Sequence, residues 1–254
     1  MYNNTHLAFE LSEHTFQISE INANIVKVLG KHTFEGSSDR EQQEELIRFL
    51  ESVQIQTNYE AYTLSWVSHQ FTLVPTSVFK ASDIQSIFNV CFAKRNVHSE
   101  LDYNELNEQS ITVIYEIPDW VKAFFTIRFP RILIQHAYSH LVRGVIDHTH
   151  KETCIHISLF ESYLHIALFK NKHLIVSNSY EYVNEDDILY YVLFCLQQNE
   201  CDTEKGKLSL HISGETKEGI VDSLLNKWKM IKDYKAYTIV NEEYSLTKHQ
   251  LTCV

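Results

Sequence analysis

Apolar side chains recur at every second position in three short segments near the start of the chain, 7–12 (LAFELS), 15–21 (TFQISEI) and 24–30 (NIVKVLG). That alternation predicts three β-strands, each turning one face to a core. Glu13 and His14 make a two-residue turn between the first two, and Asn22 to Asn24 carry turn chemistry before the third. From Asp39 the spacing becomes helical: Leu46, Ile47, Phe49 and Leu50 gather on one face, and Ser38 or Asp39 can cap. The unit is a β-meander followed by a helix. It returns about 146 positions later as 153–159 (TCIHISL), 163–169 (YLHIALF) and 173–178 (HLIVSN), with a helix opening at Asn184 to Asp187 and running to about Gln198. A strand at 207–212 (KLSLHI) follows. Beyond Gly214 a helix carries Ile220, Val221, Leu224, Leu225 and Trp228 on its apolar side, and Ala236 to Val240 form a last strand.

The repeat implies two related lobes, 1–147 and 148–254, with an inserted region around 60–130 in the first. In that region Tyr62 to Val67, Phe71 to Pro75 and Ile111 to Glu116 read as strands, and Ser82 to Ala93 as a helix capped by Ser82. Ile132 to Ile146 reads as a helix connecting the lobes, and the polar stretch Lys94 to Gln109 as a long exposed connection.

Length and composition agree with this picture. At 254 residues the chain suits two cores, and 44% apolar with 22% charged residues is the balance of a globular protein. A formal net charge of −11, without any run of Lys and Arg, disfavours nucleic acid, whose phosphates demand basic neutralisation. No segment approaches the ~18 to 20 consecutive apolar residues of a membrane span. The five cysteines are scattered and odd in number, and no secretory signal is read ahead of them, so reduced thiols and a cytoplasmic setting are expected. Only six glycines are present, which matters because phosphate-cradling loops usually depend on them.

Candidate chemistry is sparse. His148, His150, Cys154 and His156 are zinc-donor types within nine residues, and on a strand Cys154 and His156 share a face; the spacing lacks a CxxC or HxxxH frame, and a solvent-facing histidine-rich segment is the alternative. His136 and His140 stand four apart on the expected helix, a ligand spacing without the HExxH glutamate, and read as structural residues at the lobe junction. No GxSxG elbow is present. Glu185, Asp186 and Asp187 suit the first turn of a helix. Tyr180, Tyr182, Tyr190, Tyr191 and Phe194 read as core between strand and helix, or else as a partner-binding patch.

The duplicated plan resembles the superfamily of actin, sugar kinases and Hsp70. Over essentially its whole length the chain is also similar to an uncharacterised bacterial domain-of-unknown-function family with an actin-like ATPase (ASKHA, ribonuclease H-like) fold. The segments that carry the resemblance are LAFELSEHTFQIS near the start, TLVPTSVF at 72–79, NSYEYVNEDDILYYVLF at 178–194 and LSLHISGE at 208–215. It implies an α/β fold of two lobes, each with a mixed sheet begun by a three-stranded meander and flanked by helices. It also implies that the family's two phosphate-binding Asp-x-Gly hairpins fall on Glu10, Leu11 and Ser12 and on His156, Ile157 and Ser158, and the adenosine junction on Gly214 and Glu215. Serine or glutamate then stands where glycine lets backbone amides reach phosphate, and histidine replaces an oxygen ligand of Mg²⁺. The resemblance therefore implies degenerate nucleotide-site positions at Glu10, Ser12, Ser158 and Gly214, no catalytic residue, no resident metal, and neither ATP nor magnesium as a working cofactor. What remains is a noncatalytic actin-like protein acting through an unknown protein partner or self-association. The alternative is a divergent nucleotide-binding ATPase or phosphotransferase using the interlobe cleft.

Overall fold

The computed structural model describes residues 5–23, 25–55, 59–93, 97–146, 153–201, 208–214, 219–231, 236–242 and 245–253. The chain divides into two compact units, Met1–Arg143 with Thr247–Val254, and Gly144–Leu246. The boundary lies a few residues before the sequence-based one at 147/148. The final eight residues, assigned by sequence to the second lobe, belong with the first.

The first unit opens with β1 (Thr5–Leu11), β2 (Thr15–Asn22) and β3 (Ile25–Thr33), a meander, followed by α1 (Asp39–Ser52). β4 (Ala61–Trp66) then lies parallel to β1. An inserted three-stranded antiparallel sheet follows, built from β5 (Phe71–Pro75), β6 (Ser99–Leu106) and β7 (Ile111–Pro118), with α2 (Ile84–Cys91) between β5 and β6 and α3 (Asp119–Arg128) after β7. The chain returns to the main sheet as β8 (Leu133–His136) and continues as α4 (Ala137–Ile146). The main sheet has the order β3-β2-β1-β4-β8.

The second unit repeats this order as β11-β10-β9-β12-β13. Its elements are β9 (Thr153–Leu159), β10 (Tyr163–Lys170), β11 (His173–Glu181), α5 (Glu185–Gln198), β12 (Leu208–Gly214), α6 (Ile220–Lys229) and β13 (Ala236–Glu242). The chain closes with α7 (Ser245–His249) and a 3-10 turn at Gln250–Cys253. In both units the meander is antiparallel and the two further strands pair parallel.

Alternation sorts the side chains. In β1, Leu7, Phe9 and Leu11 are fully buried and face the same core as Phe16, Ile18 and Leu64, where Phe9 packs on Phe16, Phe125 and Phe129. In the second unit Ile155, Ile157, Leu159, Leu164, Ile166 and Leu168 pack with Ile188, Val192, Leu196, Leu224 and Trp228 of α5 and α6. Both meander-following helices start with a reciprocal capping box: Ser38 with Glu41, and Asn184 with Asp187. Gly30 of β3 leaves room for α1, since a Cβ there would stand 2.8 Å from the ring of Phe49.

Three sequence expectations are corrected. The stretch expected as an exposed connection contains β6, whose Ser99, Asn104 and Leu106 are buried. The helix expected over 132–146 is a strand through His136 and a helix only from Ala137, because a short apolar run has no period that separates buried strand from buried helix. Finally, α2 begins after a 3-10 turn at Ala81–Asp83, with no capping bond from Ser82, whose hydroxyl donates to Asp83.

Candidate functional site

The positions implicated by sequence lie at the ends of β1 and β9 and on the sheet faces turned away from the two hydrophobic cores. Equivalent hydrogen bonds fix how the repeats superpose. The Ser12 N–H donates to the Thr15 carbonyl and the Phe160 N–H to the Tyr163 carbonyl, both at 2.9 Å. The Phe34 N–H donates to the His14 carbonyl at 2.8 Å, and the Tyr182 N–H to the Ser162 carbonyl at 3.2 Å. Leu11 pairs with Phe16 and Trp66, while Leu159 pairs with Leu164 and Gly214. Corresponding residues are all 148 apart, two more than strand patterning implies. Ser158 therefore stands at the place of Glu10, Phe160 at that of Ser12, and His156 at that of Ala8. Both offsets are even, so the sequence assigned each side chain to the correct face but set the second hairpin motif two residues early.

The first hairpin turn is closed on itself. Ser12 Oγ accepts hydrogen bonds from the backbone N–H groups of His14 (3.2 Å) and Thr15 (2.9 Å) and lies 2.9 Å from Thr15 Oγ1. Gln42 of α1 donates to the Glu13 carbonyl at 2.9 Å. In the second turn the ring of Phe160 stacks on Tyr163 with centroids 4.6 Å apart, and the Tyr182 hydroxyl donates to the Phe160 carbonyl at 2.5 Å. Gly214 ends β12 opposite Leu159. Glu215, His148 and His150 lie outside the described residues.

Behind the first turn, the face of β1 and β4 carries His6, Glu10, Thr63 and Ser65, with Gln17 and Ser19 from β2. The C-terminal segment settles on this face. Thr247 donates a hydrogen bond to the Glu10 carboxylate, Gln17 Nε2 donates to Thr247 Oγ1 at 3.5 Å, and Thr63 donates to Gln250 Oε1 at 2.5 Å. Since the Thr63 proton is committed to Gln250, Thr63 accepts from His6 Nε2–H at 2.7 Å, which assigns the neutral tautomer of His6. Burial lowers the pKa of His6 to about 4. His140 falls to about 3, through burial and then through the neighbouring Arg143, His249, His136 and His6. None of these links was legible in the sequence, because Thr247 and Gln250 are more than 180 residues from Glu10 and Thr63.

His136 and His140 do not form a helical ligand pair. His136 closes β8, accepts the Tyr138 N–H at Nδ1 (3.2 Å) and donates from Nε2 to the Ser68 carbonyl (3.1 Å), so both ring nitrogens are committed. Burial lowers its pKa to about 3.

The aromatic group divides between the two roles considered. Tyr182 is 8% exposed and belongs to the core, whereas Tyr190 (61%) and Phe194 (41%) are exposed on α5, stacked with centroids 6.0 Å apart. Tyr191 joins them to Tyr180, against which it stacks at 4.2 Å.

Among the described residues no helix is long and apolar enough to cross a membrane. Among curated proteins no sequence matches the chain. Of solved structures, a Bacteroides thetaiotaomicron VPI-5482 protein with an actin-like ATPase fold and unknown function is similar over 99% of this chain and 97% of its own, with TM-score 0.81 and 18% identity. A PilM-PilN type IV pilus biogenesis complex is similar over 95% of this chain and 89% of its own, with TM-score 0.51 and 8% identity. At these identities the likeness is one of fold. A family model described as "Protein of unknown function (DUF3822)" matches residues 2–229, and the chain belongs to that family.

Proposed function

We propose that this is a noncatalytic actin-like protein that works in the cytoplasm through protein contacts, with the nucleotide-contact elements of the fold turned to structural use. The observation that carries the reading is the first hairpin turn. Backbone amides that could face a phosphate are instead taken by Ser12 Oγ, while Glu10 receives a hydrogen bond from Thr247. A phosphate would have to displace these internal bonds and meet the Glu10 carboxylate, both of which cost free energy. The second turn supports the same reading, since Phe160 stands where the repeat would need glycine and Tyr182 holds its carbonyl.

Contact with a partner is supported by the exposed stripe of Tyr190 and Phe194, aromatic area of the kind enriched at interfaces. The pilus-complex neighbour is a fold relative described in a protein assembly, a precedent for this use of the architecture.

The test is thermal unfolding with Mg·ATP and Mg·ADP. No upward shift in Tm is expected at millimolar nucleotide, whereas a shift that disappears in Glu10→Ala would sink the noncatalytic reading and favour the nucleotide-binding alternative.

A further inference from the structure

On the outer face of the second sheet, three metal-donor side chains converge that are scattered in the sequence. Cys154 and His156 are two apart on β9 and therefore share a face, opposite Ile155 and Ile157, which enter the core. β12 lies parallel to β9 with His211 directly beside His156, and His211 faces away from its core neighbours Leu210 and Ile212. The ligating atoms of Cys154, His156 and His211 all lie within 4.8 Å of one another. The two imidazoles stack with centroids 4.2 Å apart and an interplanar angle of 20°.

We infer that Cys154, His156 and His211 form a binding site for a thiophilic divalent cation, zinc foremost. One thiolate and two imidazoles are the donors zinc takes in tetrahedral sites, and they are poor ligands for Mg²⁺ or Ca²⁺. Bonds of about 2.0–2.1 Å to nitrogen and 2.3 Å to sulfur set tetrahedral donors about 3.3–3.7 Å apart, so the cluster closes on an ion by roughly 1 Å of side-chain movement. Neighbouring strands hold it firmly: β9 is hydrogen-bonded to β10 on one side and β12 on the other. Fully buried Phe169, whose position on β10 pairs with Cys154, stands perpendicular to the His156 ring with centroids 6.2 Å apart and gives the site an apolar wall. Cys154 is a buried thiol, not a disulfide. Among the described residues three donors converge, so a tetrahedral ion held here takes its fourth ligand from outside this set.

This site is independent of the noncatalytic reading, which concerns the hairpin turns. Its counterpart in the first lobe is His6, Ala8 and Thr63, two donors of hydrogen bonds and a methyl group, so the ligand set is not an inherited property of the repeat.

The test is titration of the reduced, metal-free full chain with Co²⁺. The expected result is a thiolate-to-cobalt charge-transfer band and the ligand-field bands of tetrahedral Co²⁺, saturating at one ion per chain and bleached by Zn²⁺. Both Cys154→Ser and His211→Gln should reduce affinity at least tenfold, with Cys154→Ser also abolishing the charge-transfer band. Circular dichroism of each metal-free variant confirms that the sheet is intact, and His156→Gln supplies a third variant should one fail to fold. Absence of tetrahedral bands in the folded wild type, or bands unchanged in Cys154→Ser and His211→Gln, overturns the inference.

Discussion

The two main sheets share strand order, pairing sense and hairpin hydrogen bonds, yet their outer faces are finished differently. In the first, His6, Thr63 and Glu10 are drawn into a hydrogen-bonded network by the returning C-terminal segment. In the second, the corresponding positions 154, 211 and 158 carry cysteine, histidine and serine, and donor atoms of Cys154 and His211 converge with His156. A duplicated backbone thus dictates which positions meet, and side-chain chemistry decides whether they close on another segment of the chain or present themselves to a ligand. The hairpin turns diverge in the same way: one satisfies its amides with a serine hydroxyl, the other packs its tip with stacked aromatics.

The comparison can be broken most forcefully at the C-terminus. Ending the chain at Leu246 removes the buried Thr247 and Gln250 and leaves the acceptor of Glu10 and the hydroxyl of Thr63 without these partners. Losing these two hydrogen bonds, one buried and one part-buried, and the packing around them should destabilise the first lobe by on the order of 3–5 kcal/mol. Hydrogen exchange would read the lobes separately, with protection falling in β1 and β4 and held in β9 and β12. Equal loss in both sheets would mean that the segment does not belong to the first lobe alone.

A second difference is set by pH. His6 in the fold has its pKa near 4 and His136 and His140 near 3, against about 6.5 in an unfolded chain. Between those values the unfolded state binds more protons, so first-lobe stability is complete above about pH 6.5 and falls as the pH drops toward 4. For His6 alone the loss at pH 4 is on the order of 3 kcal/mol. Urea unfolding from pH 7 to pH 4 should show this slope, and His6→Gln should reduce it by about a third, His136 and His140 keeping the rest; an unchanged slope in the variant would assign the effect elsewhere.

The smallest test concerns what the lobes share. Ser38 accepts from the Glu41 N–H, and Asn184 from those of Asp186 and Asp187. Replacing either cap by alanine should cost about 1 kcal/mol, and the two costs should agree within a few tenths if the meander-helix units are energetically alike. Equilibrium denaturation of the two variants settles the point.

The elements that sequence identified well are those whose stabilising partners are close in the chain. Strands β1, β2, β9 and β10 alternate cleanly, and α1 and α5 announce themselves by a capping residue and an acidic first turn. β6 was hidden because two of its buried positions are filled by Ser99 and Asn104 instead of apolar residues. Asn104 is buried because its side-chain oxygen accepts from the His136 N–H and the Ser139 hydroxyl, partners more than 30 residues away. Helix α3 carries a start signal, Pro118 before Asp119, that lies in a segment read only as far as Glu116. At the candidate sites, Glu10, Ser12, Cys154 and His156 were visible as residue types, while Thr247, Gln250 and His211 were not. No local pattern relates a residue on one strand to its neighbour across a parallel pairing.

By itself, then, the order of residues determined the strand and helix periods, the two meanders and the face on which each side chain stands, because these depend on spacings of two and 3.6 residues along one segment. The tertiary structure decided the rest: the repeat register of 148, the return of Thr247 and Gln250 to the first sheet, and the placement of His211 beside His156. Those are products of non-local pairing, in which hydrogen bonds between distant strands, and not any pattern along the chain, select which polar groups come together.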